Sequence, residues 1–303
     1  MEIDESGESQ RIDNFLFKHL KGVPKSHVYR VLRSGEIRVN SKRVSQTYRL
    51  QAGDVLRIPP IRIAEKAEKE YVPPLELPIL YEDEALLAVD KPAGIAVHGG
   101  SGVSFGVIEQ LRRARPHAKF LELVHRLDRE TTGVLLIAKK RAALTALHEI
   151  MREGNSDKRY FVLVLGDWRN KRQHVKLPLY KYDTPQGEKR VIVREDGQPS
   201  YTIFTLQKKW PGFSLLEAEL RTGRTHQIRV HLAHMGFPIA GDDKYGDFAR
   251  NKELAKQGLK RMFLHAHSIE FQHPLTGELL RITAALPKEL EGFISKLENE
   301  AGV

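Results

Sequence analysis

The chain has 303 residues, 41% of them hydrophobic, which suffices for a sizeable core and, at this length, for one large domain plus a small one. It contains no cysteine, which fits a reducing compartment and excludes a thiolate nucleophile, Cys-ligated zinc and iron–sulfur chemistry. No stretch is apolar for long enough to span a bilayer, and the start Met1 to Glu5 lacks the basic-then-apolar pattern of an export signal, so a cytoplasmic protein without membrane contact is expected.

The net charge of +10 is unevenly spread: residues 10–60 hold eleven Lys or Arg against Asp13, Glu36 and Asp54, a local charge of +8. Such a patch attracts phosphates non-specifically, with dissociation constants of about 10⁻⁴ to 10⁻⁶ M, enough to hold RNA but not to choose a base. Arg30, Arg38, Lys42 and Arg43 are the candidate RNA contacts there. Ile12, Phe15, Leu16 and Leu20 fall at helical spacing, and Ser26 is placed to cap a second helix carrying Val28, Val31 and Leu32 and ending at Gly35. Ile37 to Val39 and Val55 to Ile58 alternate as two short strands. Residues 1–60 therefore read as a small module, which resembles the S4-type (alpha-L) RNA-binding module.

Residues 61–78 interleave Glu and Lys and then meet Pro73, Pro74 and Pro78, which lack the amide protons of continued helix or sheet, so they read as a linker. The body, 79–303, offers strands at Ala85 to Val89, Val134 to Ala138, Tyr160 to Leu165 and Leu215 to Leu220, a helical stripe at Leu144, Leu147 and Met151, and a last helix from about Pro287. There is no βαβ alternation. The expected fold class is α+β, a small N-terminal module followed by a domain built on a mixed, largely antiparallel sheet.

Two blocks carry chemistry. The first, His125-Arg126-Leu127-Asp128-Arg129-Glu130-Thr131-Thr132-Gly133, sets one carboxylate between two guanidinium groups ahead of an apolar run. The flanking charge favours the ionised form of Asp128, and the threonines and Gly133 offer hydroxyls and a tight turn. By itself an Asp beside Arg reads most simply as a structural ion pair. The second block, Arg221 to His231, alternates Gln227, Arg229 and His231 with apolar residues as a strand would. We read it as a helix, because Thr225 is a possible N-cap, Ile228, Leu232 and Met235 recur at helical spacing, and Gly236 with Pro238 is a stop signal. The turn at Thr222 to Arg224 would then lead into a helix whose free amides would meet an RNA phosphate. Gly99, Gly100, Gly102 and Gly106 imitate a dinucleotide fingerprint but have Phe105 out of place, and no phosphate-binding Gly-Lys loop is present, so no nucleotide cofactor is expected.

Together the two blocks resemble the RluA-type RNA pseudouridine synthases, whose His-Arg-Leu-Asp block carries the catalytic aspartate, here matched by Asp128. Tyr81 to Gly100 resembles the family's opening segment, and Lys158-Arg159-Tyr160 followed by Phe161 to Gly166 resembles the segment of its active-site tyrosine. The resemblance covers nearly the whole chain and implies a long sheet crossed by a central RNA-binding cleft. His98 to Arg112 looks most like members that act on large-subunit (23S) ribosomal RNA; transfer RNA stays open as the alternative.

The implied reaction is isomerisation of uridine: N1–C1′ breaks, the base turns in the pocket, and C5 bonds to C1′, with no cofactor and no metal. Asp128 would capture C1′ or abstract a sugar proton, and both fit one held aspartate. The resemblance makes Arg229 its ion-pair partner and sets Tyr160 against the base and Leu264 beneath it. It gives Arg126 the gap left by the extruded base, His125 the bracing of the loop, and Arg224 a substrate contact. A non-catalytic RNA-binding assembly factor would need only the basic module, whereas a glycosidic hydrolase would need a second carboxylate, for which Glu130 is nearest in sequence. His265 and His267 have no third metal ligand at suitable spacing and read as satisfied histidines. A monomer is expected.

Overall fold

The computed structural model describes residues 1–61, 71–100, 103–185 and 188–302, so the charged part of the expected linker and Gly102 lie outside the described residues. The chain forms two compact units, Met1–Val72 and Pro73–Val303.

In the first unit, helices α1 (Ile12–His19) and α2 (Lys25–Ser34) are followed by the antiparallel pair β1 (Arg38–Val39) and β2 (Leu56–Arg57). The predicted helical residues close one core with Ile37, Val39 and Leu56, to which Ile3 and Leu50 add from outside the periodic segments. Gly35 ends α2 in the left-handed conformation. Ser26 is not the cap: the N-cap is Pro24, two residues earlier, whose fixed φ directs the chain into the helix, with no side-chain cap. Of the three acids in residues 10–60, Asp13 and Asp54 are buried. Asp13 accepts from Arg11, and Asp54 accepts from Asn40 Nδ2 at 2.7 Å, Tyr48 Oη at 3.1 Å and the Gln51 amide at 2.9 Å. Arg30, Lys42 and Arg43 are exposed and Arg38 half-buried.

The second unit runs β3 (Ile79–Glu82), β4 (Leu86–Lys91), α3 (Val107–Ala114), β5 (Glu122–Leu123), β6 (Thr132–Ala138), α4 (Arg141–Glu153), β7 (Ser156–Leu165), β8 (Arg172–Val175), β9 (Leu179–Asp183), β10 (Lys189–Val193), β11 (Thr202–Trp210), β12 (Phe213–Leu220), α5 (Gln227–His234), α6 (Phe248–Lys256), β13 (Leu264–Gln272), β14 (Leu279–Thr283) and α7 (Lys288–Ala301). Ten strands make one sheet in the order β3-β4-β6-β13-β7-β12-β11-β8, with β14 on β13 and β5 on β6; β9 and β10 form a separate hairpin. The ladder of β6 with β13 is parallel and the others are antiparallel, the mixed sheet expected.

Alternate residues of the central strands bury opposite faces. Leu87, Val89, Leu135, Ile137, Tyr160 and Val162 face α3 and α5, whereas Leu86, Ala88, Val134 and Leu136 face α4. Every residue of β6 is buried, as in a strand covered on both sides. Gly133 (φ 106) is required where β6 meets β13, because a Cβ there would overlap the Ala266 carbonyl. Helices α6 and α7 cover one end through Leu254, Leu290, Phe293 and Leu297.

The Arg221–His231 block is indeed turn and helix, but Thr225 does not cap it. α5 starts from His226, itself left-handed at φ 53, and Gln227 organises the turn: its Oε1 accepts from Thr222 Oγ at 2.7 Å and the Arg224 amide at 3.0 Å. The Arg224 amide is thus consumed inside the turn. Residues 227–232 are all buried, so the polar alternation that imitated a strand comes from polar groups bonded within the interior.

Candidate active site

Asp128 lies in the turn before β6, closed by the Thr131 amide on its carbonyl at 3.1 Å. Lys91, fully buried at the end of β4, clamps this turn by donating to the carbonyls of Pro92 at 2.7 Å and Arg129 at 3.0 Å, and burial pulls its pKa down to about 8. His125 braces it from the other side, its Nε2 accepting the Leu136 amide at 3.1 Å. Burial, then the Lys158 charge, holds that imidazole near a pKa of about 3, so it is neutral.

Neither flanking guanidinium holds the carboxylate, contrary to the reading from the sequence. Arg129 turns away to the Gly94 carbonyl, and Arg126 stands exposed at the rim. The partner is Arg229, whose Nη1 donates to Asp128 Oδ2 at 2.9 Å. Behind it, Nε and Nη2 both donate to Asp242 at 2.8 Å. Arg229 and Asp242 side chains are 7% and 1% exposed against 26% for Asp128, so the charge chain runs from the interior out to the pocket. Burial alone would weaken the Arg229 charge; the bonds to Asp242 and then Asp128 reverse this and hold its pKa above the ordinary value. Asp242 is fixed in turn by the Lys244 and Tyr245 amides at 2.8 and 3.0 Å. Gly241 before it is left-handed, with a Cβ position that would overlap the Arg261 carbonyl.

Tyr160 projects from β7 on the same side. Burial, with the negative Asp128 nearby, pushes its phenol pKa up, and its hydroxyl has no partner among the described residues. A pocket of about 70 Å³ is lined by Arg126, Asp128, Tyr160, Arg224, Arg229 and Leu264, six of the sequence candidates. It adjoins a cleft of about 760 Å³ that adds His125, His148, Arg152 and Lys158. Asp128 is the one carboxylate lining either space among the described residues, so Glu130 does not supply the second acid of a hydrolase. Arg30, Arg38, Lys42 and Arg43 belong to the other unit. His265 bonds Thr132 Oγ and the Ala284 carbonyl, and His267 bonds Glu217, as satisfied histidines do.

Residues 85–234 match the family model for RNA pseudouridylate synthase, and residues 10–56 match the S4 domain. The Ribosomal large subunit pseudouridine synthase C of Pasteurella multocida strain Pm70 is 52% identical over 98% of this chain and 93% of its own length. The chain belongs to the RNA pseudouridine synthase family. The protein of that name from Escherichia coli strain K12 is also 52% identical, over 98% of this chain and 95% of its own. The solved structure of Human RNA Pseudouridylate Synthase Domain Containing 4 covers 73% of this chain and 92% of its own at 25% identity, with a TM-score of 0.61. This pseudouridine synthase is thus an isomerase with an N-terminal S4 domain. Asp242, Tyr245 and Lys91 escaped sequence reasoning. A Gly-Asp pair after Pro238 marks a turn, but nothing local tells that its acid is buried against an arginine.

Proposed function

We propose that this synthase converts uridines of large-subunit ribosomal RNA to pseudouridine in the cytoplasm, as a monomer and without a cofactor. The observation that carries this is the convergence of Asp128, Arg229, Tyr160 and Leu264 on one small pocket beside a basic cleft, all from a single chain. Arg229 takes Asp128 Oδ2, and Oδ1 has no hydrogen bond among the described residues, so one oxygen is held and the other is available to the sugar. As N1–C1′ breaks, positive character grows at C1′, where that oxygen captures it or removes a neighbouring proton. Tyr160 and Leu264 form the apolar bed of the base; stacking on an aromatic contributes about 1–3 kcal/mol, comparable to what flipping a base out costs. The free Tyr160 hydroxyl relays the C5 proton in this reading. Arg126 at the rim fills the vacated stack, while Arg224 and the basic residues of the first unit meet phosphates. His125 acts on the loop rather than on RNA.

The domain division that accompanies this reading is an RNA-binding module over 1–60, a linker over 61–78 and the catalytic domain from 79. The names of the relatives support ribosomal RNA over transfer RNA as substrate. The test is release of tritium from C5-labelled uridine. Release is expected from large-subunit ribosomal RNA; none from it, with release from transfer RNA, would reassign the substrate, and none from either would leave a binding protein.

A further inference from the structure

Arg229 accounts for one oxygen of Asp128; the other faces His226, whose Nε2 stands 3.8 Å from Oδ1. His226 holds a left-handed backbone at φ 53, a conformation costly for a residue with a Cβ and kept only where the surroundings enforce it. What that backbone secures is the placement of the ring. Nδ1 lies 2.8 Å from Tyr245 Oη, and the same oxygen accepts the Val191 amide at 3.1 Å. A phenol oxygen already accepting a backbone N–H has its own proton to give, and Nδ1 is the one acceptor recorded for it among the described residues. Tyr245 therefore donates to Nδ1, which leaves the proton of the neutral imidazole on Nε2, the atom nearest Asp128. Burial keeps the ring below the usual histidine range and so in this neutral form. A separation of 3.8 Å is too long for a hydrogen bond, and catalytic contacts of this kind tighten when substrate binds.

We propose that His226 is a positioning residue: once a nucleotide fills the pocket, its Nε2–H engages one lone pair of Asp128 Oδ1 and leaves the other to the sugar, so that Arg229 and His226 orient both carboxylate oxygens, with Tyr245 setting the tautomer. The inference rests on Asp128 being the reacting carboxylate. It adds that the chain from the Val191 amide through Tyr245 and His226 is a second support for that group, directed at the carboxylate oxygen that Arg229 does not take. Tyr245 joins the two supports, since its ring also lies 5.1 Å from the Arg229 guanidinium.

The test is steady-state kinetics on RNA, with thermal unfolding of each variant. His226→Ala should lower kcat about tenfold to a hundredfold, the effect of a lost bond to a charged group, while KM moves less than about threefold. His226→Gln, whose amide donates without a tautomer, should recover most of that loss. Tyr245→Phe keeps the ring against Arg229 but frees the tautomer, so its kcat should fall between wild type and His226→Ala. A wild-type kcat in His226→Ala, or a Gln variant no better than Ala at equal thermal stability, would overturn the proposal. Should the Ala variant fail to fold, Tyr245→Phe decides: reduced kcat at unchanged KM supports it, and unchanged kcat overturns it. Asp128→Asn serves as the control. Turnover surviving there would sink the reading of the site itself, whereas an inactive Asp128→Asn beside a fully active His226→Ala would sink the His226 inference alone.

Discussion

The N-terminal unit and the catalytic cleft both use arginine, in opposite ways. In the first unit Arg30, Lys42 and Arg43 lie at the surface in water, where charge attracts phosphate over a distance and is screened by salt. In the cleft Arg229 is buried between two aspartates and one side chain is fixed by three hydrogen bonds. The first arrangement gives affinity without choosing an atom. The second directs one carboxylate at one position and tolerates little change, because a buried charge that loses its partner is costly.

The comparison breaks most visibly at Asp128. Asp128→Asn should lower turnover by about 10³-fold or more while RNA affinity, measured by filter binding, stays within a few-fold. Substantial turnover would remove the aspartate from the chemistry. Next in size, Asp242→Ala takes two of the three hydrogen bonds from the buried Arg229, at Nε and Nη2, and should cost about 3–5 kcal/mol of stability in urea unfolding. A cost below 1 kcal/mol, on the scale of an exposed pair, would erase the distinction between the two kinds of arginine.

A smaller effect comes from pH. His231 and His265 are fully buried with both ring nitrogens bonded, and burial holds each near a pKa of about 4. Their unfolded pKa is about 6.5, so below that pH the unfolded chain takes up protons that the native one refuses. Stability is therefore full above about pH 6.5 and is lost as pH falls toward 4, by about 1.4 kcal/mol per pH unit for each histidine. Both tryptophans, Trp168 and Trp210, belong to the larger unit, so their fluorescence reports this loss there. An unchanged urea midpoint between pH 7 and 5 would contradict it.

The smallest effect belongs to the surface. Arg30→Gln with Lys42→Gln should weaken RNA binding several-fold, reduce the salt slope by about 0.7 to 0.9 per lost phosphate contact, and leave kcat unchanged at saturating RNA. An altered kcat would show that these residues do more than hold RNA.

Much of this molecule is legible from short stretches of chain. The first unit's helices and strands follow the apolar spacing of Ile12 to Leu32 and the stop at Gly35, because each signal acts within a turn or two of its own residue. β6 is announced by an unbroken apolar run, and α7 by Pro287, its N-cap. The sequence and the structure part at two helix starts. Gln227, and not Thr225, organises the entry to α5, and Pro24, and not Ser26, opens α2.

The sequence by itself determined the elements, the basic character of residues 10–60, and which residue types would do the chemistry. Only the tertiary structure decided how they act on one another. Asp128 is bonded to an arginine 101 residues away rather than to either guanidinium beside it, and that arginine is anchored by an aspartate no pattern had marked. The physical reason is that propensity and periodicity operate along the backbone over a few residues. The pairing of buried charges is set by which side chains the sheet and α5 bring together, and by the cost of leaving any of them alone.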